Sequence, residues 1–373
     1  MEQDAFDLQA NSDKIHCMSR PAIARINIGH LQHNYRLLSN LAGHASIMAI
    51  VKANAYGHGQ NLVAPALLEA GCRSFGVTDA TEGAELRSIP SFNQDHVEIT
   101  LLSGIFDEED AKLCVQHHLT PAATEPFQLS LLAKSGHRGK VWLKFDSGMN
   151  RLGAETPSEL YAMAGETGID IRGFMSHLAC ADEPDHPLNR IQAERFITIC
   201  DQLSPNTPKS LLNSAGIIAM PQYAFDVVRP GIALYGAEPV PDRPVGLKPV
   251  MSLNGEVMQV RQIHTGASVS YGATFTADKT MDIAVVSMGY ADGIPRSLSN
   301  IGDVHIRGQK YQMIGRICMD YTMVDVTGSG VRAGDSVEFW GEHISANQVA
   351  AEIDTISYTL FTGVGERVRR IAV

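Results

Sequence analysis

The segment SIMAIVKANAYGHG (46–59) joins a short apolar run to a lysine and then to a glycine-containing stretch. Apolar and β-branched residues over this length predict a buried strand that ends at Lys52. Lysine is seldom buried without a function, because burial disfavours its charged form. Two interpretations follow: Lys52 extends its ammonium group into water at the strand end, or it is a nucleophile that binds a carbonyl cofactor as a Schiff base.

The same strand pattern recurs along the chain as far as residue 235, with helical patterns such as 62–71 and 187–203 between the runs. Connections of this length favour parallel crossovers, and eight βα units predict a (β/α)8 barrel of the TIM type, an α/β fold. A doubly wound sheet is the competing architecture. The predicted strands end at Lys52, Val77, Leu102, Ala123, Asp146, Ser176 and Asn213, and the eighth spans 226–235.

After residue 243 the pattern changes to alternating or apolar runs at 255–263, 282–288 and 322–326, separated by Gly, Asp and Asn turns. This pattern predicts a mostly antiparallel β-domain. Prolines at positions 239, 241 and 244 mark the boundary. We therefore expect a polar, disordered tail (1–19), a barrel (20–243) and a β-domain (244–373). The early run at 22–28 lies within a segment (20–30) that could pair with the β-domain.

Composition narrows the functional classes. The chain has 373 residues and a net charge of -11, which argues against nucleic acids and anionic membranes as partners. No apolar run reaches the length of a membrane span, and the first 17 residues lack the pattern of a signal peptide. Six scattered cysteines without a CxxC pair are typical of a cytoplasmic protein and give no metal-binding pattern.

Polar residues follow several of the predicted barrel strands at their C-terminal ends, where active sites lie in this fold. Ser214, Ala215 and Gly216 open the helix after the seventh strand, and a helix N-terminus of small residues suits a phosphate. An ordinary helix cap is the plainer interpretation. The polar residues at these strand ends are Lys52, Asp146, Arg151, His177, Asn213, Ser214 and Arg229.

Several longer motifs resemble those of the bacterial alanine racemases over about residues 20–370. The resemblance implies an enzyme that uses pyridoxal 5'-phosphate (PLP) to interconvert L- and D-alanine, and thereby supplies D-alanine for peptidoglycan. It also implies a homodimer whose active sites are shared between subunits. The matching motifs are AIVKANAYGHG (49–59), KFDSGMNRLG (144–153), SHLACADE (176–183), NSAG (213–216), RPGIALYG (229–236), VSYGATF (269–275), GYADG (289–293) and GRICMD (315–320).

The resemblance also implies residue roles. Lys52 would hold PLP and act as one base, and Tyr271 of the other subunit would be the opposite base. Arg229 would contact the pyridine nitrogen with His177 beside it. The backbone N–H of Met319 would bind the substrate carboxylate, with Arg151 nearby. The other implied positions are Tyr56, Asn213, Ser214, Gly231, Ile232 and Tyr358 around the cofactor, and Asp182, Tyr290, Arg296 and Arg316 along a substrate access corridor.

Lys144 matches a position that is often carbamylated in this family, where the resulting carboxylate holds Arg151. The residues alone also allow a simple ion pair of Lys144 with Asp146 or another acid.

Three alternative functions remain open from the sequence. A broader racemase would act on serine, lysine or arginine. A PLP decarboxylase of the same architecture would carry an acid in place of Arg229. A non-catalytic PLP carrier would lack the β-domain that contains Tyr271 and Met319.

Overall fold

The computed structural model describes residues 20–92 and 96–373, so the tail expected at 1–19 lies outside the described residues. The chain divides into two compact units. One consists of Ile26–Val250 with Ala372–Val373, and the other of the described residues before Ile26 with Met251–Ile371. The first strand, β1 (Ile23–Ile26), belongs to the sheet of the second unit. Within the described ranges, no helix combines the length and apolar character that crossing a bilayer requires.

The first unit contains a parallel eight-stranded sheet in the order β8-β7-β6-β5-β4-β3-β2-β9. A parallel bridge between Asn213 and Arg229 joins its two ends. The predicted barrel is thus confirmed, and the doubly wound alternative is wrong, because an open sheet would have two free edges. The strands are β2 (Ser46–Ile50), β3 (Ser74–Val77), β4 (Glu98–Leu101), β5 (Thr120–Ala123), β6 (Val141–Lys144), β7 (Ile171–Met175), β8 (Lys209–Ser210) and β9 (Val227–Val228).

Helices connect successive barrel strands, as the alternating pattern predicted. The helix expected at 187–203 has those bounds, and the one expected at 62–71 spans Gln60–Glu69. Asp79 and Asn213 cap two of these helices by accepting backbone N–H bonds. The helices are α1 (Ile28–Leu41), α2 (Gln60–Glu69), α3 (Ala80–Arg87), α4 (Glu108–Gln116), α5 (Pro126–Lys134), α6 (Pro157–Thr167), α7 (Pro187–Leu203) and α8 (Ser214–Ala219).

The expected eighth strand (226–235) is mostly wrong, because only Val227–Val228 is a strand. Pro230 has no backbone N–H for a sheet ladder, so the strand stops just before it. The chain then turns at Gly231, and Ile232–Tyr235 forms a 3-10 helix. As a consequence, the backbone N–H groups that open this short helix lie at the C-terminal end of the barrel.

The second unit is built on antiparallel strand pairs, which confirms the predicted β-domain. The long strand β10 (Met251–Ile263) pairs with β13 (Met281–Val286) along one part of its length and with β17 (Ser336–Trp340) along another. A short hairpin, β11 with β12, frames Tyr271. The remaining elements are β11 (Ser268–Val269), β12 (Phe275–Thr276), β13 (Met281–Val286), β14 (Asp303–Ile306), β15 (Gln309–Gln312), β16 (Thr322–Asp325), β17 (Ser336–Trp340), α9 (Ala346–Glu352), α10 (Ser357–Thr362) and β18 (Arg369–Ala372).

Candidate active site

The chain makes a left-handed turn directly after Lys52. Ala53–Tyr56 all have φ between 51 and 54°, although none of them is glycine. This conformation costs roughly 1–2 kcal/mol per non-glycine residue. The turn is closed by backbone bonds, including one of 2.9 Å from the N–H of Gly57 to the carbonyl of Ala53. Such strain persists only where the surroundings enforce it, and it is concentrated at functional sites.

Lys52 lies half-buried at the start of this turn. Burial lowers the pKa of its ammonium group, the positive charge of Arg151 lowers it further, and the carboxylate of Glu82 opposes both effects. A lowered pKa increases the fraction of neutral, nucleophilic amine near neutral pH. This environment favours the nucleophile over the solvated rim lysine.

Arg229 is buried and donates to neutral acceptors. Its Nη2 donates to the carbonyl of Ser176 at 2.6 Å and to that of Leu211 at 3.1 Å, and its Nη1 donates to the hydroxyl of Ser210. Burial lowers its pKa to about 9, with a further contribution from the charge of Arg151. The guanidinium therefore stays charged at neutral pH while its described contacts provide no carboxylate.

His177 lies beside this guanidinium, with Nδ1 3.2 Å from Nη2 of Arg229. Because Arg229 can only donate, Nδ1 is the acceptor and the ring proton is assigned to Nε2. Burial holds the pKa of His177 well below its usual value, and four nearby cations lower it further. The imidazole is therefore neutral at physiological pH.

Lys144 is buried in the same cluster of positive charges. Burial lowers its pKa to about 7, and the charges of Arg229, Arg151 and Lys52 add to the effect. Its Nζ donates to the carbonyl of Leu102 at 2.9 Å. The ion pair with Asp146 that the residues allowed is not formed in the described structure, because Oδ1 of Asp146 accepts the backbone N–H groups of residues 148 and 149.

Ser214, Gly231 and Tyr56 together form a small polar cradle. The hydroxyl of Ser214 accepts the N–H of Gly231 at 2.8 Å and that of Ala233 at 3.2 Å. A Cβ at position 231 would lie 2.5 Å from the hydroxyl of Tyr56, so only glycine leaves this space open. The ring of Tyr56 stacks on Tyr235 at 4.9 Å, which fixes its direction. Asn213 caps α8 beneath the cradle, and Ile232 opens the next 3-10 helix.

The cradle and the four cations make this barrel end suitable for an anionic group. A phosphate would find two hydroxyl groups and the N–H groups of Gly231 and Ala233, which now donate to Ser214, and a carboxylate would find positive charge. The residues present therefore fit PLP. Arg151 and Asp182, which follow β6 and β7, are both exposed.

The other predicted residues lie in the second unit, where three segments meet at one surface. The N–H of Tyr290 donates to the carbonyl of Cys318 at 3.0 Å, and the hydroxyl of Ser270 donates to the carbonyl of Arg316. We call the exposed side chains of these segments the tyrosine–methionine face. It consists of Tyr271, Tyr290, Met319 and Tyr321, which are 70%, 43%, 52% and 46% exposed. Arg316 is half-buried, Arg296 is exposed, and Tyr358 is a half-buried residue of α10.

The residues that support these side chains have no signal in the sequence patterns described above. Ser176 and Ser210 bind Arg229, and Glu82 accepts the N–H of Ala53 at 2.7 Å. The spacing of Asp79 and Glu82 is a known helix-start pattern and could have indicated a cap. It contains no signal for the contact to Ala53, which belongs to a different βα loop.

A parallel barrel with a half-buried lysine of lowered pKa, a small polar cradle and a buried guanidinium at one end is typical of barrel enzymes that attach a phosphorylated cofactor. Comparisons with known proteins narrow this class. Residues 26–239 match the family model described as alanine racemase, N-terminal domain, and residues 250–372 match that of the C-terminal domain. The chain belongs to the alanine racemase family.

Individual relatives agree along nearly the full length. The alanine racemase of Halorhodospira halophila is 39% identical over 95% of this chain and 98% of its own. The biosynthetic alanine racemase of Pseudomonas aeruginosa is 37% identical over 94% of this chain and 99% of its own. The solved structure of alanine racemase from Bartonella henselae, with covalently bound pyridoxal phosphate, matches with a TM-score of 0.88 and 34% identity over 95% of this chain and 99% of its own.

Proposed function

We propose that this chain interconverts L- and D-alanine with PLP attached to Nζ of Lys52, and so supplies D-alanine for peptidoglycan. The observation that carries the proposal is the position of Lys52. A lysine of lowered pKa follows the first barrel strand, and the same barrel end carries the phosphate cradle and a buried guanidinium. Membership of the alanine racemase family specifies the reaction.

When bound, PLP withdraws electrons from the substrate and makes its Cα–H bond acidic. The chain's residues have to hold the cofactor and move the proton. Ser214 and Tyr56 offer hydroxyl groups to the phosphate, and a phosphate oxygen would replace the Ser214 hydroxyl as acceptor of the N–H groups of Gly231 and Ala233. The residues assigned to the cofactor are Lys52, Tyr56, Arg151, His177, Asn213, Ser214, Arg229, Gly231, Ile232 and Tyr358.

Racemisation needs a base on one face of Cα and an acid on the other. Nζ of Lys52 serves one face, and its lowered pKa brings it closer to the pH at which a base is effective. The phenol of Tyr271 from a second copy serves the other face. Because the two groups differ chemically, the two directions of proton transfer depend on different residues.

Arg229 is assigned to the ring nitrogen of the cofactor. Its guanidinium only donates hydrogen bonds, and its pKa of about 9 keeps it charged, so it leaves the ring nitrogen without a proton. This arrangement weakens electron withdrawal and limits side reactions. It opposes the PLP decarboxylase alternative, which needs an acid at this position.

Lys144 is assigned as a carbamate. Its pKa of about 7 leaves much of the amine neutral, and a neutral amine forms an N–C bond with carbon dioxide and releases one proton to water. The product is an anion among Arg151, Arg229 and Lys52, all of which destabilise a protonated Lys144. The carbamate would orient Arg151 toward the substrate carboxylate.

Substrate binding and access are assigned to residues of both units. We assign the backbone N–H of Met319 to the carboxylate of alanine, with Arg151 of the barrel, and we assign Asp182, Tyr290, Arg296 and Arg316 to the access corridor. Exposure of the tyrosine–methionine face supports a homodimer in which a second copy covers it. The barrel unit also exposes apolar side chains, namely Phe106 and Leu152 in the loops after β4 and β6 and Phe127 in the first turn of α5.

A cytoplasmic location fits this proposal, because Cys72, Cys114, Cys180, Cys200 and Cys318 are free thiols in the described structure.

The activity is tested by incubating the purified protein with PLP and a panel of single enantiomers of alanine, serine, lysine and arginine, followed by chiral chromatography. We expect alanine to be racemised faster than serine, lysine and arginine. Comparable rates with serine or lysine would favour the broader racemase, and carbon dioxide release without inversion would favour the decarboxylase. Borohydride reduction should fix the cofactor on Lys52, and a label on another residue would overturn the site.

A further inference from the structure

Glu82, a residue of α3, binds two βα loops at once. Oε2 accepts the N–H of Thr78 at 2.7 Å, and Oε1 accepts the N–H of Ala53 at 2.7 Å. Thr78 follows β3, whereas Ala53 follows Lys52 at the end of β2. The two strands are parallel neighbours, so the carboxylate clamps adjacent strand ends.

The contact with Thr78 is a local feature of the helix start, where Asp79 also caps the N–H of Glu82. The contact with Ala53 crosses 29 positions of sequence. Ala53 is the first residue of the left-handed turn, with φ of 51°. The carboxylate therefore fixes the peptide directly after Lys52 at the point where the strained turn begins.

Glu82 also has an electrostatic effect on Lys52. Arg151 lowers the pKa of Lys52, and Glu82 is the group that raises it. The charge of Lys52 also lowers the pKa values of Lys144 and His177, so both residues lie within electrostatic range of its amine. Among these described neighbours of Lys52, Glu82 is the group with a negative charge.

We propose that Glu82 is a positioning residue for Lys52: its carboxylate anchors the N–H of Ala53 and so sets the direction in which the amine reaches the cofactor. The proposal rests on the function proposed above, because it takes Lys52 as the attachment point. Glu82 acts through the backbone of Ala53 and through its charge.

The test uses the apo form of the full chain, PLP as the probe, and capture of PLP at Lys52 as the readout. Capture is measured across a pH series by borohydride reduction and peptide mapping, in wild type, Glu82→Gln, Glu82→Asp and Glu85→Gln. Glu85 lies on the same helix but is exposed, so it controls for changes in helix charge.

We expect Glu82→Gln to weaken PLP capture about tenfold, because one charge-assisted bond is lost. The midpoint of the capture profile should move to lower pH, because the group that raises the pKa of Lys52 has lost its charge. Glu82→Asp keeps the charge but is one methylene too short for both loops, so it should weaken capture without moving the midpoint. Glu85→Gln should match wild type.

A purely structural role for Glu82 would lower thermal stability and leave the pH midpoint in place, and that result would overturn the proposal. Capture by Glu82→Gln within twofold of wild type, with an unchanged midpoint, would overturn it as well. In both cases, wild-type label on Lys52 would leave the proposed function intact. Wild-type label elsewhere would instead contradict the proposed function itself.

Discussion

The barrel end and the tyrosine–methionine face differ in how completely each is enclosed. Arg229, Lys144 and Ser214 are buried, and each has hydrogen-bond partners within the barrel. Tyr271 and Met319 are 70% and 52% exposed. The barrel end is therefore preorganised within one chain, whereas the face presents large side chains that its own unit does not cover.

The difference shows that the two groups of residues impose different energetic demands. The strained turn and the buried positive charges of the barrel end raise the free energy of the folded chain, and an anionic cofactor would lower it again. The tyrosine–methionine face exposes apolar surface to water, and a second copy of the chain would bury it. Variants of the barrel end should accordingly alter cofactor binding and stability, and variants of the face should alter catalysis with little effect on folding.

The largest loss of racemisation is expected for two single variants, one at the barrel end and one on the tyrosine–methionine face. Lys52→Ala and Tyr271→Ala should each lower racemisation by on the order of 10⁴-fold, because each removes one of the two bases. Mixing the two variants should restore part of the activity, because a mixed dimer has one site with both residues intact. Racemisation of alanine in the mixture is the measurement. Absence of recovery after verified subunit exchange would contradict shared sites.

Tyr271→Phe sharpens the comparison, because it removes only the phenol oxygen from the exposed face. Exchange of the Cα proton with deuterium should fall about 10²–10⁴-fold from one alanine enantiomer and much less from the other, since Lys52 still serves its own face. The free energy of unfolding of a single chain should change by less than about 0.5 kcal/mol, because Tyr271 is exposed within its own chain. Equal loss from both enantiomers would argue against the two-base model.

Lys144→Met tests the cost of burying positive charge in the barrel. The pKa of Lys144 is about 7 in the folded chain instead of 10.5. Between pH 7 and pH 10.5, Lys144 is protonated in the unfolded chain but neutral in the folded chain. The free energy of unfolding of the wild type should therefore increase as the pH rises from 7 to 10.5. Below pH 7 Lys144 is protonated in both states, and burying its charge lowers the free energy of unfolding by at most about 5 kcal/mol.

In apo protein and buffer free of carbon dioxide, Lys144→Met should thus be more stable than wild type at pH 6, and the advantage should shrink by pH 10. Denaturant unfolding at both pH values measures the effect. Lys140→Met, at an exposed lysine before the same strand, serves as the control. A difference that does not depend on pH would contradict the charge argument.

Gly231→Ala should have the smallest effect. The new Cβ would lie 2.5 Å from the hydroxyl of Tyr56, so the tyrosine has to shift out of the cradle. We expect PLP binding to weaken about tenfold, which corresponds to about 1.4 kcal/mol. Gly165→Ala in α6 is the control, because a Cβ there meets no neighbour within 4 Å. Equal binding by the two variants would show that the cradle is wider than the structure indicates.

The eighth barrel strand shows where sequence patterns fail. The apolar run at 226–235 resembles one long strand, but Pro230 ends the ladder, and the segment continues as a 3-10 helix. The left-handed turn after Lys52 shows the same limit. Alternating polarity and β-branched residues predict which positions are buried. The positive φ of four successive non-glycine residues is imposed by their surroundings and has no local sequence signal.

The architecture, the family and the positions at which polar residues follow the barrel strands could all be predicted from the sequence. These features repeat with a regular period or form long motifs, so local patterns contain them. Three features depend on the tertiary structure: the Glu82 carboxylate reaches Ala53, Ser176 and Ser210 hold Arg229, and Lys144 lies among the cations Arg151, Arg229 and Lys52. Each of these depends on side chains from different strands meeting in space, and the distances and burial that set their pKa values exist only in the folded chain.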